Sequence, residues 1–504
     1  MECSAPSVRC QSTVTEPART DDRARRLTLA ATVLGSSLAF VDATVVVVAL
    51  PTIQHDLHFS LVGEQWVFLA YSLALASLYL PAGAIGDRSG RRETFVAGVV
   101  GFALASMLAG LAPGGGVLIA ARVAQGVAAA FVTTNSLALL RETYGDEAGR
   151  AVGLWTAFTS VATLAGPPLG GVLVEWASWR WIFFINLPLA AAAVVLARKG
   201  RCDRRAEHRV GRLDMPGSVL VALAFGMLTY GMVQGAASGF DSVWWSFAVS
   251  AGAAVAFVVV ERRSAEPLLP FELFRRRNFA FANLETLVVY GALGGFFFFY
   301  TIYLQFLGFT PTEAGLAQVP ASVMMILLSP RFGRIADLRG PRVLLTTGPV
   351  LVAAGFVLFS FMRSTADFWR FGVPGLLLFS VGLSMVVAPI TSTALSSAPE
   401  RFSGIASGLN QTVARLGSLL TVAMLGLVVL LVYRSSGGSR GVPLARGQHD
   451  DVLRAASMDA FHIAALFSAG LALCAAAVGA FGISDSDARR RCESGELVQP
   501  SPAQ

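Results

Sequence analysis

The stretch GAIGDRSGRRETF, from Gly83 to Phe95, determines which fold this chain can adopt. It places Asp87 and three arginines, with glycines around them, between two long apolar runs. A second stretch, GRIADLRGPR at 333–342, repeats the glycine, isoleucine, aspartate, glycine and arginine of the first at the same spacing. Two copies of one polar loop in an apolar chain indicate an internal repeat.

The composition is too apolar for a soluble protein. Of the 504 residues, 54% are hydrophobic and 14% are charged, whereas soluble proteins have about 25% charged residues. Apolar stretches of about 20 residues recur, and each can cross a bilayer as a helix. The short alternating segments of a membrane barrel do not occur. We predict an all-α integral membrane protein with about fourteen transmembrane helices.

The two loop copies follow the second and the tenth predicted spans. Two six-helix halves would place the copies six spans apart, so two extra helices are inserted between the halves. The predicted order is an N-terminal tail at 1–27, a six-helix bundle at 28–200, the extra helices at 213–262, a second bundle at 279–483 and a tail at 484–504. Parallel repeats are a known transporter plan, with the substrate site between the halves.

The arginines predict the orientation. One set of short loops holds most of them, and the opposite short loops hold only Arg180, Arg363 and Arg370. Because basic short loops stay in the cytoplasm, both termini of this cell-membrane protein are predicted to be cytoplasmic. Nucleic-acid binding by the basic loops is the weaker alternative, since this rule already accounts for them.

Several segments, in order and at the right helix spacing, resemble the major facilitator superfamily. GAIGDRSGRRETF matches its loop between helices 2 and 3, LIAARVAQGVAAA at 118–130 its helix 4 motif, and AGPPLGGVL at 165–173 its antiporter motif in helix 5. The fourteen-helix drug:proton antiporter branch is resembled by three more segments: VDATVVVVALP at 41–51, WRWIFFINLP at 179–188 and SGIASGLNQTVARLG at 403–417. Val47 departs from the branch, which usually has asparagine there.

The resemblance implies two six-helix bundles with two inserted helices. It also implies a proton-coupled efflux transporter that exports hydrophobic or amphipathic small molecules, such as antibiotics, by alternating access. The chain has no GxxxxGK[ST] motif, so ATP drive is not indicated. Its five cysteines lack CxxC spacing, so we expect no metal or disulfide. We expect no enzyme activity, no cofactor and a functional monomer.

Three other functions stay open. A nutrient or metabolite carrier would have the same fold, with another substrate or direction. An integral membrane enzyme would need a polar loop cluster, for which His55, Asp56 and His58 are the candidates. A sensor without transport would need a signalling domain, and none is visible in the sequence.

Asp87 is predicted to form a conformational clasp. In the resembled fold its carboxylate faces the start of the thirteenth span, near Ser403 and Gly404, and such a charge is stabilised near a helix N-terminus. Gly83 should allow close backbone approach and Gly90 a tight turn. The predicted clasp comprises Gly83, Asp87, Arg88, Gly90, Arg91, Arg92, Glu142 and, in the second copy, Asp337. The alternative is a merely solvated loop.

Asp42 and Arg122 are charges within predicted spans, where charges indicate function. Counted from the ends of their helices, they lie roughly 13 and 9 Å below the same surface, close enough to pair. A carboxylate whose partner changes between two states can couple transport to protons. The alternative is a static structural ion pair.

Two other charges complete the predicted coupling or substrate site. Arg415 lies deep in the thirteenth span and should face a cavity or a partner. Glu285 lies about two turns into the ninth span, where it either joins the coupling or extends to the inner surface.

The fifth span carries the antiporter motif residues Gly166, Pro167, Pro168, Gly170 and Gly171. Proline kinks a helix and glycine allows close helix contact, so we expect a bend and a tight seam that govern opening. The alternative is ordinary packing. The run Phe296–Phe299 is expected to face mainly lipid, because successive helical residues point in different directions.

Overall fold

The computed structural model describes the chain at residues 22–200, 215–263, 271–399, 403–438, 442–446, 448 and 450–485. Over these residues the all-α prediction is confirmed. Thirteen segments are helical, long and apolar enough to cross a membrane, and Val219–Gly235 is a shorter apolar helix. Together they account for the fourteen predicted spans. The tails fall largely outside the described residues, although the first helix already begins within the predicted N-terminal tail, at Asp22.

The first six predicted spans form seven helices: α1 (Asp22–Leu57), α2 (Leu61–Ser89), α3 (Arg91–Gly110), α4 (Gly115–Tyr144), α5 (Ala148–Trp176), α6 (Trp181–Phe184) and α7 (Asn186–Lys199). The inserted pair is α8 (Met215–Ser238) and α9 (Trp244–Arg263). The remaining helices are α10 (Phe271–Phe274), α11 (Arg277–Leu307), α12 (Pro311–Leu316), α13 (Val319–Arg339), α14 (Arg342–Phe359), α15 (Val373–Ser396), α16 (Ser403–Ser435) and α17 (Asp451–Gly482).

The two loop copies are tight turns at one end of the bundles. Gly90 joins α2 to α3 with φ of 95°, and Gly340 joins α13 to α14 with φ of 93°. Positive φ is strained for residues with a Cβ, which explains the glycine in both copies. We call this end the arginine-rich face and the other end, where α11 turns into α12 at Gly308, the opposite face.

Each half packs mainly on itself. In the first half α4 contacts α2 and α3, and α1 contacts α5 and α7. In the second half α11 contacts α16 and α17, and α14 contacts α15 and α17. The inserted α8 packs against α9 and also against α2 and α16, one helix from each half. The inserted pair therefore lies beside the junction of the two bundles.

The prediction that the phenylalanine run on α11 faces mainly lipid is wrong. Phe296, Phe298 and Phe299 are each 1% exposed, so they lie inside the protein and not against lipid. The Phe296 ring lies 4.4 Å from that of Phe356 and 5.1 Å from that of Phe359, both on α14. Helix α11 is enclosed by neighbours on most sides, and this is why its aromatic residues are buried at successive positions.

The bundles are joined near the opposite face. Gln65 Nε2 donates to the Val422 carbonyl oxygen at 2.9 Å, and Gln305 Nε2 donates to the Val48 carbonyl oxygen at 2.9 Å. A third hydrogen bond, 3.3 Å long, runs from the Thr312 amide to the Glu175 carboxylate. Each bond connects one half with the other, so the opposite face is sealed in this conformation.

Candidate functional site

A cavity of about 250 Å³ lies between the bundles below this seal. Helices α1, α2 and α5 form one wall, and α11 and α16 form the other. Its apolar lining residues are Ala43, Val47, Phe68, Pro167, Phe297 and Phe298. Its polar lining residues are Thr44, Tyr71, Ser72, Thr301, Gln318, Arg415 and Ser418. Val47 therefore makes the cavity wall more apolar than asparagine would.

Asp42 and Arg122 are brought together as a buried ion pair. Asp42 Oδ2 accepts a hydrogen bond from Arg122 Nη1, and the two residues are 2% and 0% exposed. The other carboxylate oxygen accepts hydrogen bonds from Gln125 Nε2 at 3.2 Å and from Asn186 Nδ2 at 3.3 Å. The carboxylate is thus held by three donors from α4 and α7. A buried charge persists only with such partners.

Ser106 completes this network. Its hydroxyl accepts hydrogen bonds from Asn186 at 2.9 Å and Gln125 at 3.1 Å, and donates to the Phe183 carbonyl oxygen at 2.9 Å. Gln125 and Asn186 lie within segments that resemble family motifs, but the sequence predicted no role for them or for Ser106. Each is an uncharged polar residue in an apolar span. Such a residue alone does not indicate which helix it will contact.

The Arg122 guanidinium reaches toward the cavity through Tyr71. Its Nε donates to the Val67 carbonyl oxygen at 3.1 Å, while its Nη2 is buried and forms no hydrogen bond within the described part of the chain. The guanidinium carbon lies 4.4 Å from the centre of the Tyr71 ring. Because Tyr71 also lines the cavity, its ring contacts both the cavity and the arginine of the buried pair.

Arg415 lines the same cavity from α16. Its guanidinium carbon lies 5.9 Å from the Phe40 ring centre and 5.8 Å from the Tyr79 ring centre. Both rings belong to the first half, so Arg415 reaches across the junction.

Two other acids are buried in the bundles. Glu285 on α11 is 0% exposed, and neither of its carboxylate oxygens accepts a hydrogen bond from a described residue. It does not extend to the surface, so that alternative is wrong. Glu64, in the first turn of α2, is 1% exposed, and its carboxylate likewise has no hydrogen-bond partner among the residues that the structure describes. The sequence analysis did not predict a role for it. The structure brings neither acid into the Asp42 network.

The antiporter motif lies where α5 meets α1 and α12. A Cβ at Gly166 would lie 3.1 Å from Thr44 Cβ, and one at Gly170 would lie 3.0 Å from the Val45 carbonyl oxygen. A Cβ at Gly171 would lie 2.6 Å from Thr312 Cα in the other half. Pro167 and Pro168 stay within the helix, and Pro167 contributes to the cavity wall. The motif is therefore a seam of close backbone contact.

In the predicted clasp, Asp87 bonds within its own loop. Its Oδ1 accepts from Arg91 Nε at 2.8 Å, and the Asp87 side chain is 52% exposed. Arg91 Nη1 also lies 3.7 Å from the Glu142 carboxylate, so these two members of the predicted clasp form an ion pair. Arg92 donates to the Arg198 carbonyl oxygen, and Arg88 is exposed.

Close packing falls on Gly86 instead of Gly83, and the neighbour there is a side chain. A Cβ at Gly83 would meet Thr134 Cβ only at 4.0 Å, an ordinary contact, whereas one at Gly86 would collide with the Asn135 side chain. The Asn135 amide in turn donates to the Ala82 carbonyl oxygen at 3.2 Å. The side chains of Ser403, Asp337 and the start of α16 lie outside the described residues.

The fold and the site define a multi-pass helical membrane protein with two bundles around a central cavity. The family model of the Major Facilitator Superfamily matches residues 32–422. The chain belongs to this superfamily of membrane transporters.

Relatives and solved structures agree with this assignment. The chain is 37% identical to the Multidrug resistance protein Stp of Mycobacterium tuberculosis over 421 residues, which cover 81% of this chain and 76% of Stp. It is 36% identical to the Tetracenomycin C resistance and export protein of Streptomyces glaucescens over 80% of this chain and 75% of that protein. A bacterial homologue of the human lysosomal transporter Spinster, in an inward-facing and occupied conformation, has the same fold, with a TM-score of 0.67 and 15% identity over 95% of this chain and 99% of that one.

Proposed function

We propose that this protein is a proton-coupled efflux transporter that exports hydrophobic or amphipathic small molecules by alternating access. The observation that carries the proposal is the buried Asp42–Arg122 pair, one aromatic ring away from a mostly apolar cavity between the bundles. The names of the similar proteins, which describe multidrug resistance and the export of tetracenomycin C, support the direction of transport and the class of cargo.

The arginine-rich face is the cytoplasmic one in this proposal. Its short loops carry most of the arginines outside the tails, and such loops remain in the cytoplasm. The sealed opposite face is then the outer face, and both termini are cytoplasmic. The chain works as a monomer, because the cavity and the charge network are complete within one copy.

Protons act through Asp42. Protonation removes the negative charge from the carboxylate, so the pair with Arg122 loses its Coulomb attraction. Arg122 is then free to move with respect to the Tyr71 ring, which lies in the cavity wall. Release of the proton from Asp42 restores the pair. A substrate in the cavity and a proton on Asp42 therefore both affect the surroundings of the Tyr71 ring. Binding of one can in this way favour release of the other.

The clasp acts when the cytoplasmic side closes. In the conformation sealed on the outer face, Asp87 is half exposed and bonds to Arg91 of its own loop. Closure on the cytoplasmic side brings the carboxylate against the start of α16, where the helix N-terminus attracts a negative charge. In the other state, in which the cavity opens to the cytoplasm, the Asp87–Arg91 bond keeps the loop in position for this closure.

A resistance panel tests the function. The protein is expressed in a bacterial host that lacks its own efflux pumps, and growth is measured against antibiotics of varied structure. Export predicts resistance to several apolar compounds that disappears when an uncoupler removes the proton gradient. The matched control is Asp42→Asn, which preserves the shape of the side chain. Greater sensitivity on expression, with uptake of the compound, would instead identify an importer of the same fold.

A further inference from the structure

Arg415 is a half-buried cation that lines the cavity, and none of the described residues forms an ion pair with it. Within the described part of the chain, its Nε is buried without a hydrogen-bond acceptor, and the five ion pairs do not include it. The described residues that line the cavity include no acid. Asp42, the acid on the neighbouring α1, is engaged by Arg122.

Such a charge requires an explanation. A cation within a membrane protein is unfavourable unless it is paired or hydrated, and charges of this kind mark substrate pathways. The Phe40 and Tyr79 rings, 5.9 and 5.8 Å away, offer cation–π attraction, but none of the described residues accepts a hydrogen bond from the Arg415 Nε. A planar guanidinium matches a carboxylate or a similar oxyanion with two parallel hydrogen bonds.

The other residues that line the cavity indicate the chemistry of the uncharged part of the ligand. Aromatic residues line it from both halves: Phe68 and Tyr71 on α2, and Phe297 and Phe298 on α11. Rings of this kind favour flat aromatic ligands through offset or edge-to-face contacts. Val47 and Pro167 add apolar surface. The cavity thus combines one positive charge with aromatic walls.

We propose that the protein selects aromatic molecules carrying one acidic group, a carboxylate, phenolate or ionised enol, whose anion pairs with Arg415 while its rings contact the aromatic walls. This rests on the proposed function and names its substrate class. The cargo supplies the counter-ion that the described residues do not provide. Neutral compounds of the same shape bind, but more weakly, because they leave the guanidinium unpaired.

The test compares isosteric probes on the intact protein in lipid nanodiscs. Binding of anthraquinone-2-carboxylate, of the neutral anthraquinone-2-carboxamide and of a trimethylammonium analogue is measured by calorimetry at neutral pH. Wild-type protein is expected to bind the carboxylate roughly tenfold or more tighter than the amide, and the cation weakest. This ratio needs no variant, so it decides the question even if substitutions at Arg415 do not fold.

Three variants test whether Arg415 causes the preference for the acid over the amide. Arg415→Gln should remove the difference between acid and amide, and Arg415→Lys should keep part of it. The matched control is Arg370→Gln, because Arg370 also lies near an aromatic ring, that of Phe371 at 5.2 Å, but is exposed outside the cavity. It should leave the ratio unchanged.

Two outcomes overturn the inference. Equal affinity of the wild type for acid and amide is one, and an acid preference that survives Arg415→Gln is the other. Either result, together with proton-dependent export of neutral or cationic drugs, would leave the proposed function standing. A protein that exports no compound of the resistance panel would contradict the proposed function itself.

Discussion

The Arg122 guanidinium carbon lies 4.4 Å from the centre of the Tyr71 ring. The same ring lines the central cavity, and its hydroxyl donates to the Ala39 carbonyl oxygen at 2.9 Å. Ala39 lies one turn before Asp42 on α1. A molecule in the cavity therefore touches a side chain that also contacts the buried ion pair, and this gives substrate and proton a common neighbour.

Replacing Tyr71 with leucine should weaken the coupling of substrate to protons. The change removes a cation–π contact of about 0.5–2 kcal/mol and the hydroxyl bond to α1. We expect slower export and less proton release per bound substrate, with the protein still inserted. Tyr71→Phe, which keeps the ring, is the control and should retain most of the export. Identical substrate-induced pH changes in Tyr71→Leu and wild type would contradict the link.

Gly171→Val should disfavour the sealed outer face. A Cβ there would lie 2.6 Å from Thr312 Cα and 2.7 Å from the Pro311 carbonyl carbon, so the side chain overpacks the seam by about 1–3 kcal/mol. A Val47→Cys reporter in the cavity, in a background without native cysteines, should then react faster with an impermeant thiol reagent from outside. Gly153→Val on the same helix, where a Cβ meets nothing within 4 Å, is the control. Unchanged labelling would argue against the seam as the outer gate.

The clasp is tested by Asp87→Asn. The variant should insert normally but export poorly, because it loses the charge that meets the start of α16 when the cytoplasmic side closes. Asp337→Asn in the second loop copy should be better tolerated, since α8 and α9 break the symmetry between the halves. Export assays on vesicles with equal amounts of each protein decide it. Full export by Asp87→Asn would indicate that the loop determines only the orientation of the protein in the membrane.

A fusion at the C-terminal end of the described chain tests the orientation. A green fluorescent protein placed after Asp485 should fluoresce, and alkaline phosphatase at the same point should stay inactive, because that end is predicted to be cytoplasmic. The reverse pattern would invert the assignment of both faces.

The fold could be predicted from the sequence because few other folds are compatible with a repeated loop and so many apolar spans. The Asp42–Arg122 pair was also predictable, because two charges at similar depth in a membrane protein have few other partners. Asn186 and Ser106 were not, because neutral polar residues are common in such helices and only packing brings them to Asp42. Glu64 escaped notice since it stands in the first turn of a span, where an acid usually contacts water.

Burial and conformational state were harder to predict. Phe296 and its neighbours lie inside because α11 is surrounded by other helices, a property of the assembly that no local pattern encodes. The sequence of a transporter specifies two states of similar free energy, so it does not say which face is sealed. Close approach at Gly86 instead of Gly83 depends on where the Asn135 side chain lies.

Proton movement through Asp42 should drive export, and transport by purified protein in proteoliposomes measures this. A compound found in the resistance panel is offered to purified protein under an imposed pH gradient, and its accumulation is measured. The wild type should accumulate the compound against its gradient. Asp42→Asn should still bind it but only equilibrate it across the membrane, because the side chain can no longer exchange a proton. Accumulation by Asp42→Asn equal to that of the wild type would contradict the account and move the coupling site to another acid, with Glu285 the first to test.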